Sequence, residues 1–247
     1  MKTNKHIAMW TCARSRSTLM TRAFQQLDGC VIFDEPFYPP YLVTQGFDHP
    51  NRLEIIEQYE TNYEKVISKI TGDLPQGYSF SFQKHTANNL PQNSDLNWLL
   101  CLDNFFLIRH PRDIIASRQK IYNYQKNFTL HEIGMEDLYN LFIFIQERTE
   151  KVPLVVDSTD VIKNPPKVLQ ELCNQLGVCY SDKMLTWQSG MRKTDPLWAT
   201  TWYRTIINSS EFLPFTQQEI TLPEHLKPIF EECLPFYEKL YQYRIIV

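Results

Sequence analysis

Five short strand-like runs lie at residues 6–10, 30–33, 78–83, 105–108 and 154–156. Each breaks off into polar or turn-forming residues, and helical patterns lie between them. Runs of this length, bounded in this way, read as strands buried in a sheet. Helices are expected over 17–27, 52–70, 114–122, 136–148 and 166–176. In 52–70 the apolar positions Ile55, Ile56, Tyr59, Tyr63, Val66, Ile67 and Ile70 recur at helical spacing. Pro111 suits a first helical position, and Gly177 suits a C-cap. Strand and helix in alternation restrict the chain to an α/β fold with a mostly parallel sheet. In such sheets, ligands bind beyond the carboxyl ends of the strands.

The last third reads differently. Trp187, Trp198, Trp202 and Tyr203 surround a loop, and a helix is expected over 224–243. Residues 189–247 are read as a covering loop and helical layer on a single domain, 1–247. Trp198, Trp202 and Tyr203 recur at i, i+4 and i+5, a spacing that fits a core stripe.

The chain has 247 residues and a 43% apolar content, enough for a sizeable core. A net charge of -3 argues against nucleic-acid binding by bulk electrostatics. No run approaches the ~20 apolar residues of a membrane span, and residues 1–8 are polar and basic. Six cysteines without a CxxC pair read as free thiols. A soluble, cytoplasmic protein is expected, with no nucleic-acid or membrane partner.

Positive charge is concentrated locally. Residues 1–27 carry Lys2, Lys5, Arg14, Arg16 and Arg22 and no acid. Residues 105–126 carry Arg109, Arg112, Arg118, Lys120 and Lys126 against Asp113 alone. Both islands follow predicted strands, so one anionic ligand gripped from two sides is expected. In the first, "CARSRSTL" joins a strand to a helix, where unpaired N–H groups and the dipole favour an anion. Arg14, Ser15, Arg16, Ser17 and Thr18 add charge and hydroxyl donors, as suits a phosphate or sulfate group. Serine and threonine also cap helices without a ligand. GxxxxGK[ST] is absent, which removes the main signature of Mg²⁺-dependent NTP hydrolysis. The second island, "FFLIRHPRDIIASRQ", repeats the layout with Arg109 at the strand end and Ser117 on the helix.

"ARSRSTL" resembles the 5′-phosphosulfate loop of the sulfotransferase family, and "IRHPRDIIAS" resembles its 3′-phosphate motif. "VVDSTDVIKNPPKVLQELCNQLGV" is similar to the family's later strand–loop–helix segment. The likeness is closest to bacterial small-molecule sulfotransferases and to the sulfotransferase-like domains of plant aminotransferase-like proteins, which share something like "DEP", "KH" and "WAxxWY". It implies a P-loop-like three-layer fold with a central sheet flanked by helices and a C-terminal helical lid. The implied donor is 3′-phosphoadenosine 5′-phosphosulfate (PAPS), with 3′,5′-adenosine bisphosphate (PAP) as product and no metal. Arg14, Ser15, Ser17 and Thr18 would bind the phosphosulfate, and Arg109 and Ser117 the 3′-phosphate. Ala13 stands where proline is usual, His110 where Asn or Asp is common, and Arg16 where glycine is usual. If that turn needs φ > 0, arginine there is strained.

Transfer to an alcohol calls for a base. His85, in "SFSFQKHTANN", is expected just past a strand end, on the ligand-binding edge, and matches the family's Lys-His position, with Lys84 to stabilise developing charge. Glu35, in "VIFDEPFYPP", is the rival. Phe37, Tyr38 and Tyr41 are expected to line the acceptor pocket, on a loop stiffened by Pro39 and Pro40. Arg192-Lys193 resembles the family's Arg-Lys-Gly loop that closes over the 3′-phosphate. The expected function is sulfuryl transfer from PAPS to a small-molecule alcohol. The alternatives are a non-catalytic nucleotide-binding domain and a nucleotide-dependent small-molecule kinase.

Overall fold

Lys5–Thr11 forms the central strand, β1, with apolar residues on both faces: Ala8 and Trp10 point one way, Ile7 and Met9 the other. The computed structural model describes residues 4–46, 50–91, 94–121, 126–216 and 219–247. The other strands are β2 (Cys30–Asp34), β3 (Phe80–Thr86), β4 (Asp103–Ile108) and β5 (Leu154–Asp157). All pair in parallel, in the order β2-β3-β1-β4-β5. After β3 the chain crosses β1 to the other half of the sheet. The loops following β1 and β4 therefore flank one crevice at the carboxyl edge, where α/β sheets bind ligands.

The helices are α1 (Ser17–Phe24), α2 (Tyr38–Gln45), α3 (Arg52–Gln58), α4 (Tyr63–Thr71), α5 (Pro111–Ile121), α6 (Leu130–Ile133), α7 (Met135–Thr149), α8 (Ser158–Lys163), α9 (Pro165–Gln175), α10 (Ala199–Trp202), α11 (Arg204–Ile207) and α12 (Lys227–Tyr241). Met20, Phe24, Val161, Leu169 and Leu172 bring α1, α8 and α9 onto one sheet face. Ile70, Ile115, Phe142 and Leu240 bring α4, α5, α7 and α12 onto the other. The result is the α/β fold with a parallel sheet that the alternation of elements implied, in the three layers that the resemblance implied.

Three expectations are corrected. The helix expected over 52–70 is two helices, broken because Asn62 accepts a hydrogen bond from Lys65 N and caps α4. Tyr59, at the break, turns instead to accept a hydrogen bond from Leu197 N at 3.0 Å. Pro39 and Pro40 do not stiffen a loop; they open α2, where a missing N–H costs nothing. The C-terminal helix α12 belongs to the core layer rather than to a lid, and Ile245 N beyond it donates to Val155 O of β5. The end expected for α5, Tyr122, lies outside the described residues. Among the described residues, no helix is long and apolar enough to cross a membrane.

β3 runs three residues further than expected, so Lys84, His85 and Thr86 are strand residues. Pleat parity then separates them. Lys84 shares a face with Phe80 and Phe82, while His85 joins the opposite core. His85 is 1% exposed, stacks on Trp10 with ring centroids 4.4 Å apart, and bonds Gln83 Oε1 through Nε2. Burial pushes its pKa from 6.5 down to about 3. The folded state therefore keeps His85 neutral while the unfolded chain takes up a proton below pH 6.5. Stability is full above that pH and falls by about 1.4 kcal/mol per unit toward pH 3. Denaturant unfolding between pH 7 and 4 should show a shallower pH slope, by one proton, in His85→Phe than in the wild type.

Candidate functional site

At the carboxyl edge of the sheet, the loop after β1 turns twice through the left-handed region, at Arg14 (φ 73°) and Arg16 (φ 65°). Each such turn costs a non-glycine residue about 1–2 kcal/mol. The position where glycine is usual does require positive φ, and arginine is held there regardless. Arg16 is the N-cap residue of α1; it makes no side-chain capping bond, and the first turn of α1 carries no acid. That helix end remains open to an anion.

The loop after β4 closes on the first. Arg109 Nη1 donates to the Arg14 carbonyl at 2.7 Å, and Arg14 Nε donates to Ser117 Oγ at 3.2 Å. Arg14 Nη1 also donates to the Trp202 carbonyl at 2.9 Å. Asp113 lies 3.6 Å from Arg109 Nε and offsets part of this charge. The two islands thus meet in one site. Burial pushes Arg109 down to about 10, with Arg16 and Arg14 adding repulsion. Arg14 and Arg16 are lowered in the same direction, first by burial. Ser15 Oγ and Arg16 Nη1 are buried without a hydrogen-bond partner. Crowded cations and the unpartnered Arg16 donor at an uncapped helix start suit an anion such as phosphate.

These groups line a cavity of about 700 Å³. On it lie Arg14, Arg16, Ser17, Thr18, Arg109 and Ser117 from the two loops, with Glu35, Tyr38, Tyr41 and Lys84. Asp34 and Lys84 are register partners on β2 and β3. Lys84 Nζ lies 3.0 Å from Asp34 Oδ1, 2.8 Å from Glu35 Oε1 and 2.6 Å from the Tyr203 hydroxyl. It also reaches Thr18 Oγ1 at 3.3 Å, which ties this group to the phosphate-type loop. Burial opposes the charge on Lys84, but Asp34 and Glu35 outweigh it and raise its pKa, so the ammonium persists. Glu35 adopts φ 50° just past β2, the turn that brings its carboxylate to the cavity.

Five expected site residues do not line the cavity. His85 faces the opposite core, on the far side of the pleat from Lys84. Phe37 is 2% exposed and packs against His85 and Trp98. Ser15 is sealed beneath its loop. Arg192 turns back to Gln188, donating to its carbonyl, and neither it nor Lys193 reaches the cavity. A buried ion pair explains this placement. Arg22 of α1 makes two 2.7 Å bonds to Asp195, which also accepts from Arg192 N, so the segment is pinned to the flank of α1. The covering wall comes instead from Trp202, Tyr203, Ile206 and residues 213–216. Sequence reasoning missed Asp34, Thr86, Asn88 and Tyr203. The "DEP" run pointed at Asp34, whereas Tyr203 carried only the signal of an aromatic stripe.

Arg16→Gly should separate strain from binding. Relief of the left-handed arginine roughly balances or slightly exceeds glycine's entropy cost of about 0.5–1 kcal/mol. Unfolding free energy should stay level or rise by up to about 1 kcal/mol, while affinity for inorganic pyrophosphate falls about tenfold, measured by calorimetry.

The sulfotransferase domain family matches residues 5–243. Two curated Arabidopsis thaliana proteins, branched-chain-amino-acid aminotransferase-like proteins 2 and 1, are each 29% identical over 95% of this chain. The chain spans 41% of the length of each. A crystal structure of a sulfotransferase from Alicyclobacillus acidocaldarius shares the fold. Its TM-score is 0.56 at 11% identity, over 98% of this chain and 97% of that one. With the family match spanning nearly its whole length, the chain belongs to the sulfotransferase domain family.

Proposed function

We propose that the protein transfers the sulfuryl group of PAPS to a hydroxyl of a small-molecule acceptor. The observation that carries this reading is the joining of the two basic loops at one cavity wall, through Arg109–Arg14 and Arg14–Ser117, next to the Glu35–Lys84 pair. A ligand with phosphates at two ends satisfies both loops. Arg16, on the cavity with its Nη1 buried and without a partner, fits an anionic ligand in the first. When bound, PAPS supplies the sulfuryl group and a phosphate leaving group.

The chain's own residues divide the remaining work. Arg14, Ser17, Thr18 and the open end of α1 bind and orient the phosphosulfate end. Arg109 and Ser117 bind the 3′-phosphate. Lys84, kept charged by its carboxylates, stabilises negative charge next to Thr18. Glu35 accepts the acceptor's hydroxyl proton as the new O–S bond forms and the bond from sulfur to the leaving oxygen breaks. The other carboxylates on the cavity suit this role less. Asp113 is engaged with Arg109, Glu132 bonds Thr129 N and Lys126, and Glu211 is exposed where its backbone bridges to Thr186. His85, neutral and turned into the core, suits it less still. A cavity of about 700 Å³ favours a metabolite over a polymer. The competing reading, a nucleotide-binding domain without turnover, draws on the aminotransferase-like names of the curated relatives.

Calorimetry with PAP and with 5′-AMP tests the donor site. The 3′-phosphate should add about tenfold to a hundredfold in affinity, the range of a charge-assisted hydrogen bond, and Arg109→Ala should erase that difference. Equal affinities would overturn the assignment. PAP release from PAPS should fall by about 10²–10⁴-fold in Glu35→Gln and survive in His85→Phe. Binding without product release would select the non-catalytic reading.

A further inference from the structure

Tyr203 reaches the site from far along the chain. Its hydroxyl accepts from Lys84 Nζ at 2.6 Å, across 119 residues, and donates to Asp34 Oδ1 at 2.9 Å. The ring is 5% exposed and packs with Trp187, Ala199 and Ile206. Burial, with Asp34 and Glu35 nearby, raises the phenol well above its ordinary pKa, so it remains a donor. An ammonium has three N–H groups. Here the three close acceptors are Asp34, Glu35 and Tyr203, and together they fix the orientation of Lys84. The preceding residue acts on the other half of the cavity, since the Trp202 carbonyl accepts from Arg14 Nη1.

We infer that Tyr203 is a positioning residue: held by Asp34, its hydroxyl fixes Lys84 and through it Glu35. The same dipeptide orders Arg14, so one segment sets the donor and acceptor halves together. This rests on the reading of Glu35 as the proton acceptor. Without the hydroxyl, Asp34 loses a donor and one Lys84 N–H loses its acceptor. Lys84 is then free to turn toward Asp34 or Thr18, and Glu35 loses its fixed orientation. Misplacing a reacting group by about 1 Å costs about 10²-fold in rate.

The test uses the intact chain and three measurements. PAP release from PAPS is followed with water and with a panel of primary alcohols, phenols and sugars as acceptors. PAP affinity is measured by calorimetry, and folding by circular dichroism. Tyr203→Phe keeps the packed ring. It should lose about 10²-fold in turnover while PAP affinity stays within about threefold of wild type. Asp34→Asn, a second variant that leaves the ring untouched, should show the same split. Turnover at the wild-type rate in either folded variant would overturn the inference. Affinity lost in step with turnover would also overturn it, since that marks a merely structural role. A wild type that binds PAP but releases none from PAPS refutes the underlying reading and the inference with it. That failure appears in the wild-type control, whereas the inference's own failure appears only in the variants.

Discussion

The site depends first on the 2.7 Å hydrogen bond from Arg109 to the backbone carbonyl of Arg14. It joins the loops after two neighbouring strands through residues 95 positions apart. A guanidinium spent on a carbonyl keeps its charge, so the bond adds no neutralisation. Arg14, Arg16 and Arg109 are therefore held together, and among the described residues Asp113 is the one carboxylate in ion-pair range of Arg109. Each has its charged form disfavoured by burial, and Arg14 and Arg109 also by neighbouring guanidiniums. Such a cluster has a large unmet demand for negative charge, and an anion entering it meets donors already oriented. Lysine would serve less well here. Arg14 bonds Ser117 through Nε and Trp202 through Nη1, so two separate nitrogens of one rigid plane are engaged, where an ammonium offers a single nitrogen on a flexible stem.

Strain and charge are stored at the same positions. Left-handed Arg14 and Arg16 would relax if the loop were free to open, and Glu35 shares that conformation on the far side of the cavity. Residues of this kind persist only where surrounding contacts over-determine them. For Arg14 those contacts are Arg109, Ser117 and Trp202. For Glu35 they are its backbone bond to Lys84 O and its ion pair with Lys84 Nζ. Among the described residues, Glu150 at the C-cap of α7 is the other non-glycine residue at positive φ, so three of the four lie on the cavity.

Much of this was legible in the sequence. The strand–turn–helix order set the fold, and the clustering of cations after the first and fourth strands located the basic crevice, because both signals are local. Which of His85 and Glu35 faces the cavity was not legible, for a specific reason. β3 is buried on both faces, so the Phe-Ser-Phe-Gln alternation at its start does not tell which face meets the site. Ending the strand at Gln83 left Lys84 and His85 in a turn, where both could face the ligand. Carried through Thr86, the pleat turns Lys84 in and His85 out. Tyr203 was hidden for another reason. Its partners lie 119 and 169 residues away, and an aromatic at helical spacing signals core whether or not its hydroxyl has work to do.

The placement of the covering segment follows from what it lacks. Its helices α10 and α11 are four residues each, too short to hold a shape by their own hydrogen bonds. Tertiary anchors must set its position. Leu197 N bonds the Tyr59 hydroxyl, Trp187 Nε1 bonds the Ser209 carbonyl, and the Arg22–Asp195 pair fixes the near end. Both side chains of that pair are almost wholly buried, and an ion pair so desolvated contributes little net stability. Its contribution is selectivity among placements. Any shift of the segment that separated Asp195 from Arg22 would leave two bare charges in the interior, so only placements that keep the pair are accessible. Because Arg22 lies on α1, the helix that follows the basic loop of Arg14 and Arg16, the segment is indexed to that loop rather than to the sheet. Trp202 and Tyr203 consequently arrive over Arg14 and Lys84 in a register set by the helix those residues already flank.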